Sequence, residues 1–331
     1  MEKINFDSLL FLLKEAKEKN KKILITFHSV GDSDSVSSAI ALKRFFGDNA
    51  KVSTPDYITT NATRMLKVAN INENEISKGF DTDCDIVVLV DVNAFEDCGS
   101  FNYYLNDFKG DIVIIDHHAL HNIEKDKVYV YNDENSNSTA SIIYEIFEQL
   151  EFDVDVKIKY LLVYGIISDS ADLKNAFPKT FIQIGKLLED TGSNYQALLN
   201  MIEPLPDPKS RLNVLIDSCA AEKYIIGNIL FIYGRAHSHA NVSADVALKA
   251  GADLALFFSI GAEGISFSAR LRETLDKKYD LHMGKIMKML APIIRGSGGG
   301  HPCAAGAYGP VTSTENEFKE AFMEELKKHI S

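Results

Sequence analysis

Apolar segments that run directly into acidic and histidine residues are the feature that most constrains the fold of this chain. Segments 21–27, 86–90 and 112–115 have the length and the β-branched content of buried strands. Helix-like segments lie between them, at 37–46 and 61–69. Strands that alternate with helices form a mostly parallel, covered sheet, so we predict an α/β fold.

Residues that can bind a metal ion or a substrate follow each of these segments. A fourth apolar segment, 160–167, also ends near an acid, and we expect a fourth strand end there. The carboxyl ends of parallel strands meet at one edge of a sheet, where ligands collect, so we expect these side chains to converge. The residues concerned are His28, Asp32, Asp34, Asp91, Asp116, His117, His118 and Asp169.

Each of these residues also has an ordinary structural interpretation. The aspartates at 32 and 34 could cap the helix that starts near Ser35, and a lone aspartate after a strand often only turns the chain. The repetition at several strand ends favours a metal site. Six of these residues are the candidate metal ligands, namely His28, Asp32, Asp34, Asp91, His117 and Asp169. Their four carboxylates and two imidazoles exceed the needs of one ion, so two ions that share a bridging carboxylate are expected, and phosphoryl transfer uses such a pair.

Chain length and a proline cluster predict two domains. With 331 residues the chain is longer than a single hydrophobic core usually supports. Three prolines fall within residues 203–208, which ends any helix and marks a linker. We predict a metal-binding domain at 1–200, a linker at 201–222 and a smaller mixed α/β domain at 223–331, with a cleft between the domains.

The net charge and the cysteines indicate the class of substrate and the cellular compartment. The formal net charge is −12, which disfavours a broad basic surface for long nucleic acid and favours a small anionic substrate. The four cysteines are scattered without any Cys-x-x-Cys pair, as expected in a reducing cytosol. The first residues form a charged amphipathic segment, and the apolar runs are too short to cross a bilayer. We therefore expect a cytoplasmic protein without a membrane partner.

The order of these motifs resembles the DHH phosphoesterases. That family carries His-x-x-x-Asp-x-Asp, a lone Asp, Asp-His-His and a final Asp in this sequence, and the chain has all four in order. The run Gly298, Gly299, Gly300 and His301, followed by Ala-Ala-Gly at 304–306, is similar to the signature of the DHH-associated domain. The resemblance covers nearly the whole chain.

The resemblance also implies a role for each ligand. It assigns His28, Asp32 and Asp91 to one ion. It assigns Asp34, Asp91, His117 and Asp169 to the other ion, with Asp91 as the bridge. Asp116 would orient its neighbours, and His118 would face the scissile phosphate as a substrate contact or proton donor. The fourth motif usually reads Thr-Asp-Thr-Gly, whereas residues 168–171 are Ser-Asp-Ser-Ala, and Asp172 is an alternative to Asp169 as the ligand.

Substrate contacts are expected in the second domain. The backbone amides of Gly298, Gly299 and Gly300 could hold an anion in a turn, beside the imidazole of His301. Arg270 matches the position at which the DHH-associated domain typically carries a substrate-binding arginine. Its guanidinium can bind phosphate through two hydrogen bonds. The ordinary alternatives are a plain glycine turn and a solvated strand end. Arg272 and Arg295 are lesser candidates.

The family resemblance leads to a ranked set of functions. A compact two-domain chain is similar to the oligoribonuclease and 3′-phosphoadenosine 5′-phosphate phosphatase branch, so we expect hydrolysis of short oligonucleotides or dinucleotides to mononucleotides. Two Mn²⁺ ions are the expected cofactor, with Mg²⁺ or Co²⁺ as alternatives. The second choice is a RecJ-like exonuclease, followed by a manganese pyrophosphatase and an inactive replication scaffold. A homodimer is compatible with the sequence.

Overall fold

A computed structural model describes residues 1–119, 123–202, 207–237, 239–262, 264–310 and 314–330. The chain divides into two compact units, Met1–Pro204 and Leu205–Ser331. Residues 203–206, which include two of the three prolines behind the predicted linker, lie outside the described part. None of the described helices combines the length and the apolar composition that a membrane span requires.

The first unit is built on a seven-stranded sheet in which every pairing of described strands is parallel. The strand order is β1-β9-β8-β7-β2-β4-β6, and β3 and β5 form a separate two-stranded sheet. The strands are β1 (Glu2–Lys3), β2 (Ile23–Thr26), β3 (Val30–Gly31), β4 (Ala50–Thr54), β5 (Tyr57–Ile58), β6 (Ile76–Lys78), β7 (Ile86–Val90), β8 (Asp111–Asp116) and β9 (Val128–Asn132).

Helices cover both faces of this sheet. One face holds the larger apolar core, and residues 95–105 pack on the other face. The predicted α/β fold with a covered parallel sheet is confirmed. The helices are α1 (Phe6–Glu18), α2 (Ser33–Phe46), α3 (Thr60–Val68), α4 (Asn102–Asp107), α5 (Thr139–Gln149), α6 (Val156–Asp169), α7 (Pro178–Thr191) and α8 (Tyr195–Ile202).

The strand order creates a switch point beside β2. From β2 the chain proceeds through β4 to β6 on one side, and then returns to place β7, β8 and β9 on the other side. Helical connections that leave in opposite directions open a crevice at the carboxyl ends of the strands, where ligands bind in open α/β sheets. The candidate ligands that follow β2 and β7 therefore flank this crevice.

One predicted strand was wrong. Segment 160–167 belongs to helix α6, so Asp169 ends a helix rather than a strand. Nearly every residue from Leu161 to Ile167 is buried, because α6 packs between α2, α5 and α7. A helix that is buried on all sides has no polar stripe, so its sequence lacks the period that would distinguish it from a buried strand.

The second unit contains a mixed six-stranded sheet in the order β10-β11-β12-β13-β15-β14. Only the β11–β12 pairing is parallel among the described strands, with α10 as the crossover helix. The strands are β10 (Glu222–Ile226), β11 (Ile229–Arg235), β12 (Leu254–Gly261), β13 (Gly264–Leu271), β14 (Ser297–Gly300) and β15 (Ala304–Gly309). The helices are α9 (Pro208–Ala220), α10 (Ala240–Lys249), α11 (Glu273–Tyr279), α12 (Met283–Leu290) and α13 (Glu315–Ile330).

Two sequence features of this unit take a different form from the one expected. Helix α9 occupies most of the range predicted as linker and packs against α10 and β11. The glycine run, predicted as a turn, forms the edge strand β14 and pairs with β15. A Cβ at Gly298 would lie 2.4 Å from the carbonyl oxygen of Met287, so this glycine allows α12 to pack directly on the strand.

Candidate metal centre

The loop after β2 supplies the first group of the site. Asp32 caps helix α2, and its Oδ1 accepts a hydrogen bond of 3.0 Å from the amide of Ser35. The same Oδ1 lies 3.7 Å from His28 Nε2. Asp32 therefore has the capping role and also belongs to the cluster, so the two interpretations of this residue are compatible. Its side chain remains 40% exposed, which leaves it accessible from the crevice.

Asp91 lies at the centre of the cluster. It follows β7 in a left-handed conformation with φ of 58°, which is unusual for a residue with a side chain. Its amide donates a hydrogen bond of 3.0 Å to the carbonyl of Ile115, which ties the turn to β8. One carboxylate oxygen lies 3.4 Å from His28 Nε2 and the other 3.6 Å from His117 Nε2. A carboxylate that presents one oxygen to each of two imidazoles has the geometry of a bridging ligand.

Asp34 is fully buried and is held by the start of helix α5. Its two carboxylate oxygens accept hydrogen bonds of 2.7 Å from the backbone amides of Thr139 and Ala140. The hydroxyl of Thr139 also donates to Asp91 Oδ1 at 3.4 Å. Free amides and the positive end of the helix dipole stabilise a carboxylate at this position. Space is limited, because a Cβ at Gly165 would lie 2.3 Å from Ser37 Oγ and 3.1 Å from Asp34 Oδ1.

The two histidines after β8 point to different partners. His117 Nε2 faces three carboxylates, with Asp169 Oδ2 at 3.1 Å and Asp34 Oδ2 at 3.9 Å. His118 Nδ1 instead bonds Asp116 Oδ1 at 2.9 Å, and its side chain is 53% exposed. The buried Asp116 therefore orients His118 directly. No hydrogen bond between Asp116 and His117 is found among the described residues, so the expected orienting role applies to His118 alone.

Asp169, rather than Asp172, joins the cluster. The side chain of Asp172 is half exposed and lies 3.7 Å from Lys174 Nζ. Asp169 is the last residue of α6, whereas Asp172 lies beyond a left-handed turn that begins at Ala171, where φ is 51°. This is the position at which the usual family motif has glycine. The turn carries Asp172 away from the ligand group while Asp169 stays on the last turn of the helix.

The ligand atoms form three overlapping groups in which all members lie within 4.8 Å of one another. Asp91 belongs to all of them, so the cluster is continuous and can hold metal. The first two groups coincide with the ligand sets predicted for the two ions. The groups are His28, Asp32 and Asp91; Asp34, Asp91, His117 and Asp169; and Asp91, Asp116, His117 and His118.

The electrostatics of the cluster call for a cation. Burial, with repulsion from Asp91 and Asp169, raises the pKa of Asp34 well above its usual range. Burial also raises the pKa of Asp169. Burial lowers the pKa of His117, but the surrounding carboxylates outweigh this effect and raise it to about 11. Without an ion the cluster therefore retains protons, which a divalent cation would replace.

An unpaired nitrogen supports the same conclusion. His117 Nε2 is buried and makes no well-directed hydrogen bond within the described part of the chain, although Asp169 Oδ2 is near. Buried polar atoms are nearly always satisfied, so an imidazole nitrogen left in this state among carboxylates fits a metal ligand. The residues present therefore suit a hard or borderline divalent ion.

The predicted substrate residues lie in the second unit. Arg270 on β13 is paired with Ala304 on β15, and the amide of His301 donates to the carbonyl of Ala304 at 2.8 Å. The register thus brings Arg270 and His301 to the same end of this sheet. Arg270 Nε bonds Asp245 Oδ1 at 2.7 Å, which fixes the direction of the guanidinium. Of the three glycines in the run, only Gly299 faces open space.

The amides of Thr139 and Ala140 were not predicted as part of the site. The sequence does signal a helix start here, because Ser138 is a good N-cap and its hydroxyl accepts from the amide of Ser141. Backbone donors carry no side-chain signature, however, and their partner Asp34 lies 105 residues away. Only the tertiary fold shows that this helix start holds a candidate ligand.

Several known proteins are similar to this chain in sequence or in fold. An uncharacterised protein of Methanocaldococcus jannaschii is 27% identical over 327 residues, covering 94% of this chain and 97% of the relative. A probable manganese-dependent inorganic pyrophosphatase of Streptococcus thermophilus is 29% identical over 170 residues, which are 46% of this chain and 50% of that protein. An exopolyphosphatase-related protein of Bacteroides fragilis shares the fold, with a TM-score of 0.70, 16% identity and coverage of 98% and 97%.

Family assignments agree with both units. Residues 22–166 match the DHH family, N-terminal domain, and residues 230–328 match the DHHA1 domain. The first match includes every member of the candidate metal cluster except Asp169, and the second includes Arg270 and the glycine run. The resemblance in the motifs is thereby confirmed, and this chain belongs to the DHH family of phosphoesterases.

Proposed function

We propose that this protein is a two-metal phosphodiesterase that hydrolyses short oligonucleotides or dinucleotides to mononucleotides. The observation that carries the proposal is the position of Asp91, whose two oxygens face two separate imidazole groups at 3.4 and 3.6 Å. Two ions that share one carboxylate are a common arrangement for hydrolysis of phosphate esters. The nucleoside bisphosphate 3′-phosphoadenosine 5′-phosphate is a second candidate substrate.

Each ion would have its own ligand set. His28 and Asp32 with Asp91 would hold one ion, and the remaining members of the cluster with Asp91 would hold the other. A mixed set of imidazoles and carboxylates suits manganese, and a relative is named as manganese-dependent, so Mn²⁺ is the proposed metal, with Mg²⁺ or Co²⁺ as alternatives. When bound, the ions activate water at neutral pH and neutralise charge on the phosphoryl oxygens.

His118 is the proposed proton donor to the leaving oxygen. Its Nδ1 bonds the buried Asp116, which leaves the other ring nitrogen free to face the crevice. The hydrogen bond to Asp116 raises the pKa of His118, so the ring is more often protonated near neutral pH. An exposed, oriented and protonated imidazole is suited to general acid catalysis. Asp116 is thus a positioning residue for His118.

The second unit is proposed to contribute a phosphate-binding group of its own. Arg270 and His301 lie together at one end of its sheet, and the ion pair with Asp245 holds the guanidinium in place. A fixed guanidinium beside an imidazole suits a phosphate group. Gly298, Gly299 and Gly300 would add backbone contacts, with Gly299 as the open position on β14.

A digestion series tests this function. The Mn²⁺-loaded protein is incubated with labelled RNA and DNA from dinucleotide to about 16 nucleotides, the upper site size of a single-strand binding fold. We expect the dinucleotide to be cleaved fastest, and we expect Asp91→Asn to abolish cleavage. Asp190→Asn is the matched control, since its half-exposed carboxylate pairs with Lys159 outside the cluster. Activity that rises with length would instead support a RecJ-like exonuclease.

Two further functions are separated by adding pyrophosphate as a second substrate for the same Mn²⁺-loaded protein. The manganese pyrophosphatase is favoured by one observation, the 29% identity to such an enzyme, but this match covers only 46% of the chain. Rapid release of orthophosphate from pyrophosphate would support it over the phosphodiesterase. An inactive scaffold would show no hydrolysis of either substrate. The presence of every predicted ligand in the cluster argues against that alternative.

A further inference from the structure

A second pocket lies beside the segments that carry the metal ligands. It is formed by the first turn of α2, by α3 and by the end of α6 in the first unit. Ser33, between two candidate ligands, and Ser168, next to Asp169, both line it. Asn61 and Asp172 form part of its exposed rim, and Met65 belongs to its buried floor. No role in the metal cluster accounts for these polar side chains.

The hydroxyl of Tyr164 is the most informative atom in this pocket. Tyr164 lines the pocket and is 2% exposed, and its hydroxyl has no hydrogen-bond partner among the described residues. Burial raises the pKa of Tyr164 to about 12, so the group stays a neutral hydroxyl. Leaving a buried hydroxyl unsatisfied is costly, so a polar group that enters the pocket and pairs with it would be favoured.

The rim of the pocket is held in an unfavourable backbone conformation. Ala171, Asp172 and Leu173 are consecutive non-glycine residues with φ of 51°, 56° and 66°. Left-handed residues with side chains are strained, and such strain concentrates at functional sites. The strained turn places the carboxylate of Asp172 on the rim rather than in the metal cluster. This second observation is independent of the tyrosine.

The chemistry of the lining selects among the parts of a nucleotide. No lysine or arginine lines the described pocket, so it is unsuited to phosphate. Its aromatic ring is buried, so no exposed face is available for stacking a base. Besides the apolar Met65, Ile167 and Leu199, the lining offers hydroxyls, an amide and a carboxylate. These polar groups recognise sugar hydroxyls, as an acidic residue does for ribose in dinucleotide sites. We propose that this pocket binds the ribose of the nucleotide whose phosphate is at the metal centre.

The ribose assignment rests on the proposed function, and a binding experiment tests it separately from turnover. The Kd values of adenosine 5′-monophosphate and its 2′-deoxy analogue are measured by calorimetry on the Mn²⁺-loaded protein. We expect the ribonucleotide to bind about tenfold more tightly, the size of one lost hydrogen bond. Tyr164→Phe, which removes only the hydroxyl, should reduce this ratio towards one, and Asn61→Ala should reduce it partly.

The matched control is Tyr160→Phe, one turn earlier on the same helix. The Tyr160 hydroxyl bonds Ser193 Oγ at 2.5 Å outside the pocket, so its removal should leave the ratio unchanged. Either of two results overturns the ribose assignment, even if oligonucleotides are cleaved. The first is a wild-type affinity ratio near one. The second is an equal ratio in wild type and Tyr164→Phe, together with a higher melting temperature in the variant. A preserved ratio without any cleavage supports the assignment and overturns the proposed reaction.

Discussion

A single substitution that helix α5 tolerates can weaken the hydrogen bonding between the start of this helix and Asp34. Thr139 is the first helical residue, where proline is common because its missing N–H has no partner within the helix. The preceding Ser138 is extended, with φ of −164° and ψ of 158°, as a residue before proline requires. Thr139→Pro therefore removes the amide that donates to Asp34 Oδ2 and places ring atoms near that oxygen, while α5 can still form.

The expected loss follows from the charge of the acceptor. A hydrogen bond to a charged group contributes about 1.5–3 kcal/mol, which corresponds to about 10- to 150-fold in affinity. We expect Mn²⁺ binding to the Asp34 group to weaken by this factor, because an unsupported buried carboxylate is more readily protonated and less well oriented. Thr139→Ala keeps the amide and loses only the 3.4 Å hydroxyl contact with Asp91, so we expect a loss of less than about tenfold.

Manganese affinity is measured by electron paramagnetic resonance of the free ion, with thermal unfolding as a check that both variants are folded. The comparison that matters is between the two substitutions at the same position. Equal Mn²⁺ affinity in folded Thr139→Pro and Thr139→Ala would refute the idea that the backbone amide positions the ligand. A loss confined to the proline variant would support it.

Three further predictions follow from the same cluster and its surroundings. Burial lowers the pKa of His28, but the carboxylates of Asp32 and Asp91 outweigh burial and raise this pKa to about 10. Metal binding therefore expels protons, and Mn²⁺ affinity should keep rising from pH 6 to pH 9, beyond the usual histidine range. Calorimetry in two buffers would count the protons. Asp169→Asn should weaken Mn²⁺ binding by more than the roughly 10- to 100-fold that loss of an outer partner costs, and an unchanged affinity would exclude it as a ligand. Ala171→Gly, at φ of 51°, should stabilise the protein by about 0.5–1 kcal/mol, seen as a higher unfolding temperature.

Local pattern was sufficient to predict much of the site. Strands β2, β7 and β8 are short apolar runs that each end in ligating residues, and parallel strands bring such ends to one edge. The pattern therefore predicted the sheet and the convergence of these side chains without any knowledge of the packing, whereas the division into two ligand sets came from the family resemblance. The order of the motifs was also enough to indicate the family, because spacing along the chain is a property of sequence alone.

Packing decided the features that depend on distant contacts. The apolar period of α6 is lost because the helix is buried on all sides, so Asp169 was assigned to a strand end. Asp34 depends on an amide 105 residues away, and the glycine run becomes a strand because it pairs with β15. The sequence by itself determined which residues can bind a metal, since ligand chemistry belongs to each side chain. Only the tertiary structure decided how those residues are held, since backbone donors, burial and helix contacts arise between segments that are far apart in the chain.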